Sequence, residues 1–249
     1  MRAIILAAGS GLRLGQHTKD IPKALLDING KSILERQISL LRQHGINEIF
    51  VVTGYQREKH TLKDIEYIFN PRYAETEQLA SMMVARTKIS DDVLVIFGDI
   101  VFDGQILQQI LASNDDIAIA IDLNWEKSYN DGLCNSHPLD EPVLINQKKV
   151  LRISYKQTDT MIENQTVGEF LGVIKLSANG SRTIIKKYEE LEKSHVGRFH
   201  DANSLEKAKL ADILQELIDS KIEISFIAVN GKWCEIDTPK DLERARKKF

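Results

Sequence analysis

Short, wholly apolar runs alternate with amphipathic stretches through the first half of this chain. Apolar runs occupy 2–8, 48–54, 65–69, 93–97 and 117–121. Continuous rather than alternating apolar character predicts strands buried on both faces. The stretches between them carry helical spacing. Ser32 and Glu35 form a capping-box pattern ahead of Ile33, Leu34, Ile38 and Leu41, and Gly45 closes that helix. Further helices are expected near 56–63, 77–88 and 104–113. The alternation predicts an α/β fold with a mostly parallel sheet and helices on both faces. In such sheets ligands bind at the carboxyl ends of the strands.

The second half is less regular. Residues 124–142 read as one long loop, and 143–145 with 150–156 as a hairpin. A strand at 168–176, helices at 178–193 and 204–220 and a strand at 222–229 follow. Thr238 and Pro239 cap a last helix. The pattern fits one compact domain over 1–249.

The candidate chemistry starts where the first strand ends. Gly9-Ser10-Gly11-Leu12-Arg13 breaks the apolar run, and Pro22-Lys23 follows. Glycines let backbone approach a ligand, and its free N–H groups hold anionic oxygens. Arg13 adds a fork of donors and Lys23 a point charge, so the segment reads as a triphosphate site. A Rossmann loop needs a third glycine where Leu14 stands, and a P-loop needs Gly-Lys-Ser/Thr. Asp99, after Gly98 at the end of the fourth strand, places a carboxylate in the carboxyl-end crevice. That suits Mg²⁺, held by carboxylates, phosphate oxygens and water.

Composition narrows the class. The 249 residues are 43% hydrophobic and 28% charged, with a net charge of -3, ordinary for a globular chain and unlike a nucleic-acid binder. No apolar run reaches the roughly 18 residues of a membrane span. The first apolar run leads straight into the glycine loop, so it reads as a strand rather than a signal peptide. Cys134 and Cys234 read as two free buried thiols, which places the protein in the cytoplasm. The six histidines lie in polar stretches without metal-ligand spacing and read as surface residues. The basic cluster Arg244, Arg246, Lys247 and Lys248 reads as the solvated end of a helix.

Leu6-Ala7-Ala8-Gly9-Ser10-Gly11-Leu12-Arg13-Leu14 with Pro22-Lys23 resembles the signature of the nucleotidyltransferase family that activates sugar phosphates and related phosphomonoesters. The resemblance implies a Rossmann-like three-layer sandwich of the GT-A-like kind, with a mostly parallel mixed sheet. Residues 1–122 would form its nucleotide-binding core, and 123–249 a small acceptor-binding β lobe and the rest of the sheet. It implies that the backbone from Leu6 through Gly11 (Leu6, Ala7, Ala8, Gly9, Ser10, Gly11) and Gly98 cradle the nucleotide. Arg13 would contact the phosphates, and Lys23 would bridge nucleotide and acceptor. Asp237 resembles the family's second metal carboxylate beside Asp99, with Glu235 able to join them.

Within that family, Asn70-Pro71-Arg72-Tyr73 followed by Thr76, Gln78 and Ser81 resembles the base-reading segment of the phosphocholine and 2-aminoethylphosphonate cytidylyltransferases. Thr76, Gln78 and Ser81 would then lie near cytosine. Glu169, with Trp125 and Tyr129, would hold a cationic acceptor. The implied reaction is Mg²⁺-dependent transfer of CMP from CTP to a small phosphorylated or phosphonate acceptor. In-line attack would release pyrophosphate with no covalent intermediate. No nucleic-acid or membrane partner is expected, and the chain would act as a monomer or homodimer. A hexose-1-phosphate uridylyl- or thymidylyltransferase is the rival reading. A non-catalytic nucleotide-binding regulator would be expected to have lost Arg13, Lys23, Asp99 or Asp237, and all four are present.

Overall fold

The computed structural model describes residues 1–125, 141–147, 149–154 and 164–249. Three apolar runs form the parallel centre of the main sheet: β1 (Arg2–Ala7), β4 (Glu48–Thr53) and β6 (Val93–Phe97), with β1 between the other two. A fourth, β5 (Glu66–Phe69), adds in parallel outside β4. Every residue of β6 is buried, so both faces of the sheet are covered there. The two-residue strands β2 (Asp27–Ile28) and β3 (Lys31–Ser32) close on the turn at Asn29-Gly30.

Helix α1 (Ile33–Gln43) starts as its sequence dictates: the Ser32 hydroxyl accepts the Glu35 N–H, and the Glu35 carboxylate accepts the Ser32 N–H. Helix α2 (Gln78–Val84) packs on β1 and β4. Helix α3 (Gly104–Leu111) follows β7 (Ile100–Phe102) and packs on β8 (Ile117–Asp122), whose residues are all buried.

The second half extends the sheet with antiparallel strands. The hairpin of β9 (Pro142–Asn146) and β10 (Lys149–Ile153) precedes the long β11 (Gln165–Leu176). Strand β11 runs antiparallel to both β6 and β8. Helices α4 (Ala178–Ser194) and α5 (Leu210–Asp219) lead to β12 (Ser225–Ala228), parallel to β8. The order is β5-β4-β1-β6-β11-β8-β12-β10-β9, and β9 also pairs with the first half of β11. The far end of the sheet therefore curls back on itself, as the small lobe beside a mixed sheet.

A second apolar cluster joins the two ends of the chain. Strand β13 (Trp233–Glu235) pairs antiparallel with β7, and helix α6 (Pro239–Lys248) follows it. Leu14, Leu26, Ile28 and Ile33 pack there with Val101, Cys234, Ile236 and Leu242. Cys234 is buried, as expected, and its Sγ accepts the Arg244 Nε–H at 3.2 Å; Cys134 lies outside the described residues.

Some sequence expectations need correction. The helix near 56–63 is a single turn over Arg57–Lys59, because that segment has no apolar face to bury. The helix expected to 88 ends at Val84, with a separate turn over Arg86–Lys88. The helix expected from 204 starts at Leu210. The carbonyls of Glu206 and Ala208 instead accept the N–H groups of Glu77 and Leu79 at the start of α2. The basic end of α6 is not simply solvated. Arg244 is buried and donates to the Glu235 carbonyl and to Asp241, while Arg246 and Lys248 donate to the carbonyls of Asp27 and Trp233. Among the described residues, no helix is long and apolar enough to cross a membrane.

Among the described histidines, His60 is the buried one. It is buried beside the Tyr67 ring, and neither ring nitrogen has a hydrogen-bond partner among the described residues. Burial pushes its pKa down to about 4, against a weaker upward pull from Glu58. The unfolded chain therefore binds a proton first as pH falls from about 6.5 to about 4. Folding stability drops across that window by up to about 3 kcal/mol. Denaturant melts at pH 7 and pH 4.5 are expected to show this loss, and His60→Leu should remove its share of the difference. An equal loss in the variant would place the titration elsewhere.

Candidate active site

The carboxyl ends of β1 and β6 and the loop before α6 meet in an open cleft of about 740 Å³. Its floor is a charge cluster. The Lys23 ammonium lies 2.8 Å from Asp99 Oδ2 and also donates to Asp237 Oδ1. Arg13 reaches the other oxygen of Asp237 at 2.7 Å. Glu235 completes a group in which one oxygen each of Asp99, Glu235 and Asp237 lies within 4.8 Å of the others. Two cations thus face three carboxylates.

Each member is placed by local structure. Gly11 sits in the left-handed region at φ 64, and a Cβ there would come within 3.0 Å of the Lys23 Cβ. A glycine lets the loop fold against Lys23. Thr18 ties the loop by donating to the Gly11 carbonyl at 2.8 Å. Gly98 donates its N–H to the Leu6 carbonyl at 2.9 Å, and a Cβ on it would lie 2.7 Å from that oxygen. Only glycine brings the Asp99 turn this close to β1. The side-chain amide of Gln37, buried in α1, donates to the carbonyls of Phe97 and Ile100 at 2.8 Å each, bracketing that turn. The Ile236 N–H donates to the Asp99 carbonyl, which continues the β7–β13 ladder and sets Asp237 opposite Asp99.

Electrostatics lock the cluster. Burial pulls the Lys23 pKa down, but Asp99 and Asp237 together outweigh it and leave it above the ordinary lysine value. Burial pushes the Asp237 carboxyl up, and Lys23 with Arg13 outweigh that and hold it below the usual carboxylate range. Lys23 and Asp237 are therefore both ionised at neutral pH. Asp99 Oδ1 is shielded from solvent and has no hydrogen-bond partner among the described residues. A net negative group of hard oxygens with an open acceptor fits a divalent cation such as Mg²⁺.

On one side of the cleft, Asn70 is a buried hub. Its amide donates to Thr76 Oγ1 and Ser81 Oγ, both at 3.1 Å. Thr76, Gln78 and Ser81 all line the cleft, as do Leu6, Ala8, Gly9, Ser10 and Gly11. Ala7 and Gly98 are buried in the strand and turn behind them. On the opposite side, two of the residues suggested for an acceptor, Glu169 and Trp125, are not on the wall. Glu169 is 1% exposed and sits one layer back, its Oε1 accepting the Glu141 N–H at 3.2 Å. The Trp125 indole N–H donates to the Val167 carbonyl, and Trp125 lies off the cleft lining. Tyr129 lies outside the described residues. The charged residues on that wall are Glu141 and Lys209, 3.3 Å apart. The sequence pattern marked neither. Gln37 did leave a signal, as a lone polar residue on the apolar face of α1.

Known proteins with related sequences and structures include several cytidylyltransferases. The CTP:phosphoglutamine cytidylyltransferase of Campylobacter jejuni is 29% identical over 98% of this chain and 98% of its own length. A CMP-5'-(3-aminopropyl)phosphonate synthase of Streptomyces rubellomurinus is 33% identical over 48% of this chain and 20% of its own. The structure of CTP:phosphocholine cytidylyltransferase from Streptococcus pneumoniae superposes with a TM-score of 0.72 at 22% identity, over 99% of this chain and 97% of that one. It shares the mixed α/β nucleotidyltransferase fold. The MobA-like NTP transferase domain matches residues 3–158, and this chain, an enzyme of the nucleotidyltransferase type, belongs to that family.

Proposed function

We propose that this enzyme is a Mg²⁺-dependent cytidylyltransferase that moves CMP from CTP to a small phosphorylated or phosphonate acceptor. The observation that carries the reading is the cluster of Lys23, Asp99 and Asp237 set against the glycine loop. The relative that matches over almost its whole length uses CTP and a phosphorylated amide, which supports both substrate classes.

Asp99, Asp237 and Glu235 would hold the cation, which when bound supplies charge neutralisation at the triphosphate oxygens. The loop from Ala8 to Gly11 offers backbone N–H groups to the phosphates, and Arg13, paired with Asp237 at the solvent side of the cleft and 64% exposed at its side chain, has donors left to meet them. Lys23 places a fixed positive charge beside the oxygens where negative charge grows. An acceptor phosphate oxygen bonds to the α-phosphorus of CTP, the bond from that phosphorus to the bridging oxygen breaks, and pyrophosphate leaves with its electron pair. The nucleophile is already anionic, so no residue needs to take a proton. Among the described residues, no histidine or cysteine lines the cleft. Thr76, Gln78 and Ser81 are assigned to the base; Asn70 holds Thr76 and Ser81, and the Gln78 side-chain carbonyl accepts the Leu210 N–H.

The direct test measures pyrophosphate release with each of four NTPs against phosphoglutamine, phosphocholine, 2-aminoethylphosphonate and hexose-1-phosphates. CTP with a small non-sugar acceptor is the expected pair; UTP or dTTP with a hexose phosphate would overturn the assignment. Asp99→Asn and Asp237→Asn should each lower kcat by on the order of 100-fold or more, with far-ultraviolet circular dichroism unchanged. Turnover within a few-fold of the parent would remove them from the cation site. Lys23→Met should lower kcat on the order of 100-fold while KM for CTP moves less. A change confined to KM would make Lys23 a binding group only.

A further inference from the structure

Two charged side chains on the cleft wall take no part in the phosphate and cation chemistry and are fixed on separate rigid elements. Glu141 enters β9 with its backbone pinned at both ends: its N–H donates to Glu169, and its carbonyl accepts the Phe170 N–H at 3.1 Å. Lys209 stands at the start of α5, its N–H donating to Asp212 at 2.7 Å. The two side chains meet at 3.3 Å. Their exposures differ sharply. The Glu141 side chain is 8% exposed and that of Lys209 is 51% exposed. Among the described residues, the only other charged one on the lining outside the phosphate cluster is Glu77, exposed at the rim before α2.

We propose that Glu141 and Lys209 read the zwitterionic head of an amino-acid acceptor, the carboxylate of Glu141 taking its α-ammonium and the ammonium of Lys209 its α-carboxylate. The inference rests on the reading of the cleft as a transferase site for a small phosphorylated acceptor. The Lys209 side chain is half exposed, so its ammonium can turn to another partner or to water at little cost. The buried carboxylate is the demanding partner, since a charge held away from water needs a counter-charge. A zwitterion meets both requirements at once: each side chain exchanges one opposite charge for another. An acceptor with only an ammonium would meet Lys209 as a like charge beside it. One with only a carboxylate would draw Lys209 from Glu141 and offer nothing in return. A neutral sugar would have no use for a charge pair at this wall.

The experiment compares phosphoglutamine with two analogues that keep its phosphorylated amide, one lacking the α-carboxylate and one lacking the α-ammonium. Each is measured by pyrophosphate release with CTP and by calorimetric binding to the whole protein. Removing either head group is expected to lower kcat/KM by on the order of tenfold to a hundredfold. The variants should cross. Lys209→Met should no longer distinguish phosphoglutamine from the analogue without carboxylate, yet still reject the one without ammonium. Glu141→Gln should do the reverse, and Lys209→Met, on an exposed side chain, keeps the test open should the buried substitution misfold. Equal use of all three acceptors, or a parallel loss toward all three in Lys209→Met, would overturn the proposal. A crossed binding pattern without transfer from any NTP would leave it standing while overturning the transferase reading.

Discussion

A buried ammonium held between two carboxylates organises this molecule. Lys23 comes from the loop after β1, Asp99 from the turn after β6, and Asp237 from the segment before α6. Removing water from an ammonium and the carboxyl groups around it is costly, and only close mutual contact offsets it. That requirement ties three chain segments to one point. It also leaves the acidic side of the cleft partly neutralised by a cation that the chain itself supplies.

The contacts around the cluster serve the same end. The β7–β13 ladder brings Asp237 opposite Asp99, and the Gln37 amide fixes the turn between β6 and β7 from beneath. Behind the ladder, Arg244 binds the Glu235 carbonyl, and Arg246 crosses to the Asp27 carbonyl. The carboxylates therefore stand on backbone held by hydrogen bonds on several sides. A preorganised site of this kind spends little on rearrangement when charge develops.

The sequence made the glycine-loop side of the cleft legible because its determinants are local. A strand, a glycine loop, Arg13 and Lys23 are neighbours in the chain, and Asp99 directly follows an apolar run. The parallel centre and most helices were legible for the same reason, through period and caps. What stayed hidden depends on distant partners. Strands β7 and β13 are three residues each and exist because they find one another. Glu141 and Lys209 are ordinary charges until β9 and α5 place them on one wall, and Glu169, the residue type that looked suitable, lies a layer deeper. His60 sits among polar neighbours in sequence, yet its ring is enclosed in the fold.

Lys23 and Asp237 are separated by 214 positions. A domain folds as a unit, and this contact can close only after all the positions between the two residues have been made. The ammonium therefore fastens an early segment of the chain to a late one. Losing Asp237 would free the glycine loop and Arg13 from the segment before α6 as well as remove a carboxylate, so the shape of the cleft and its charge stand or fall together.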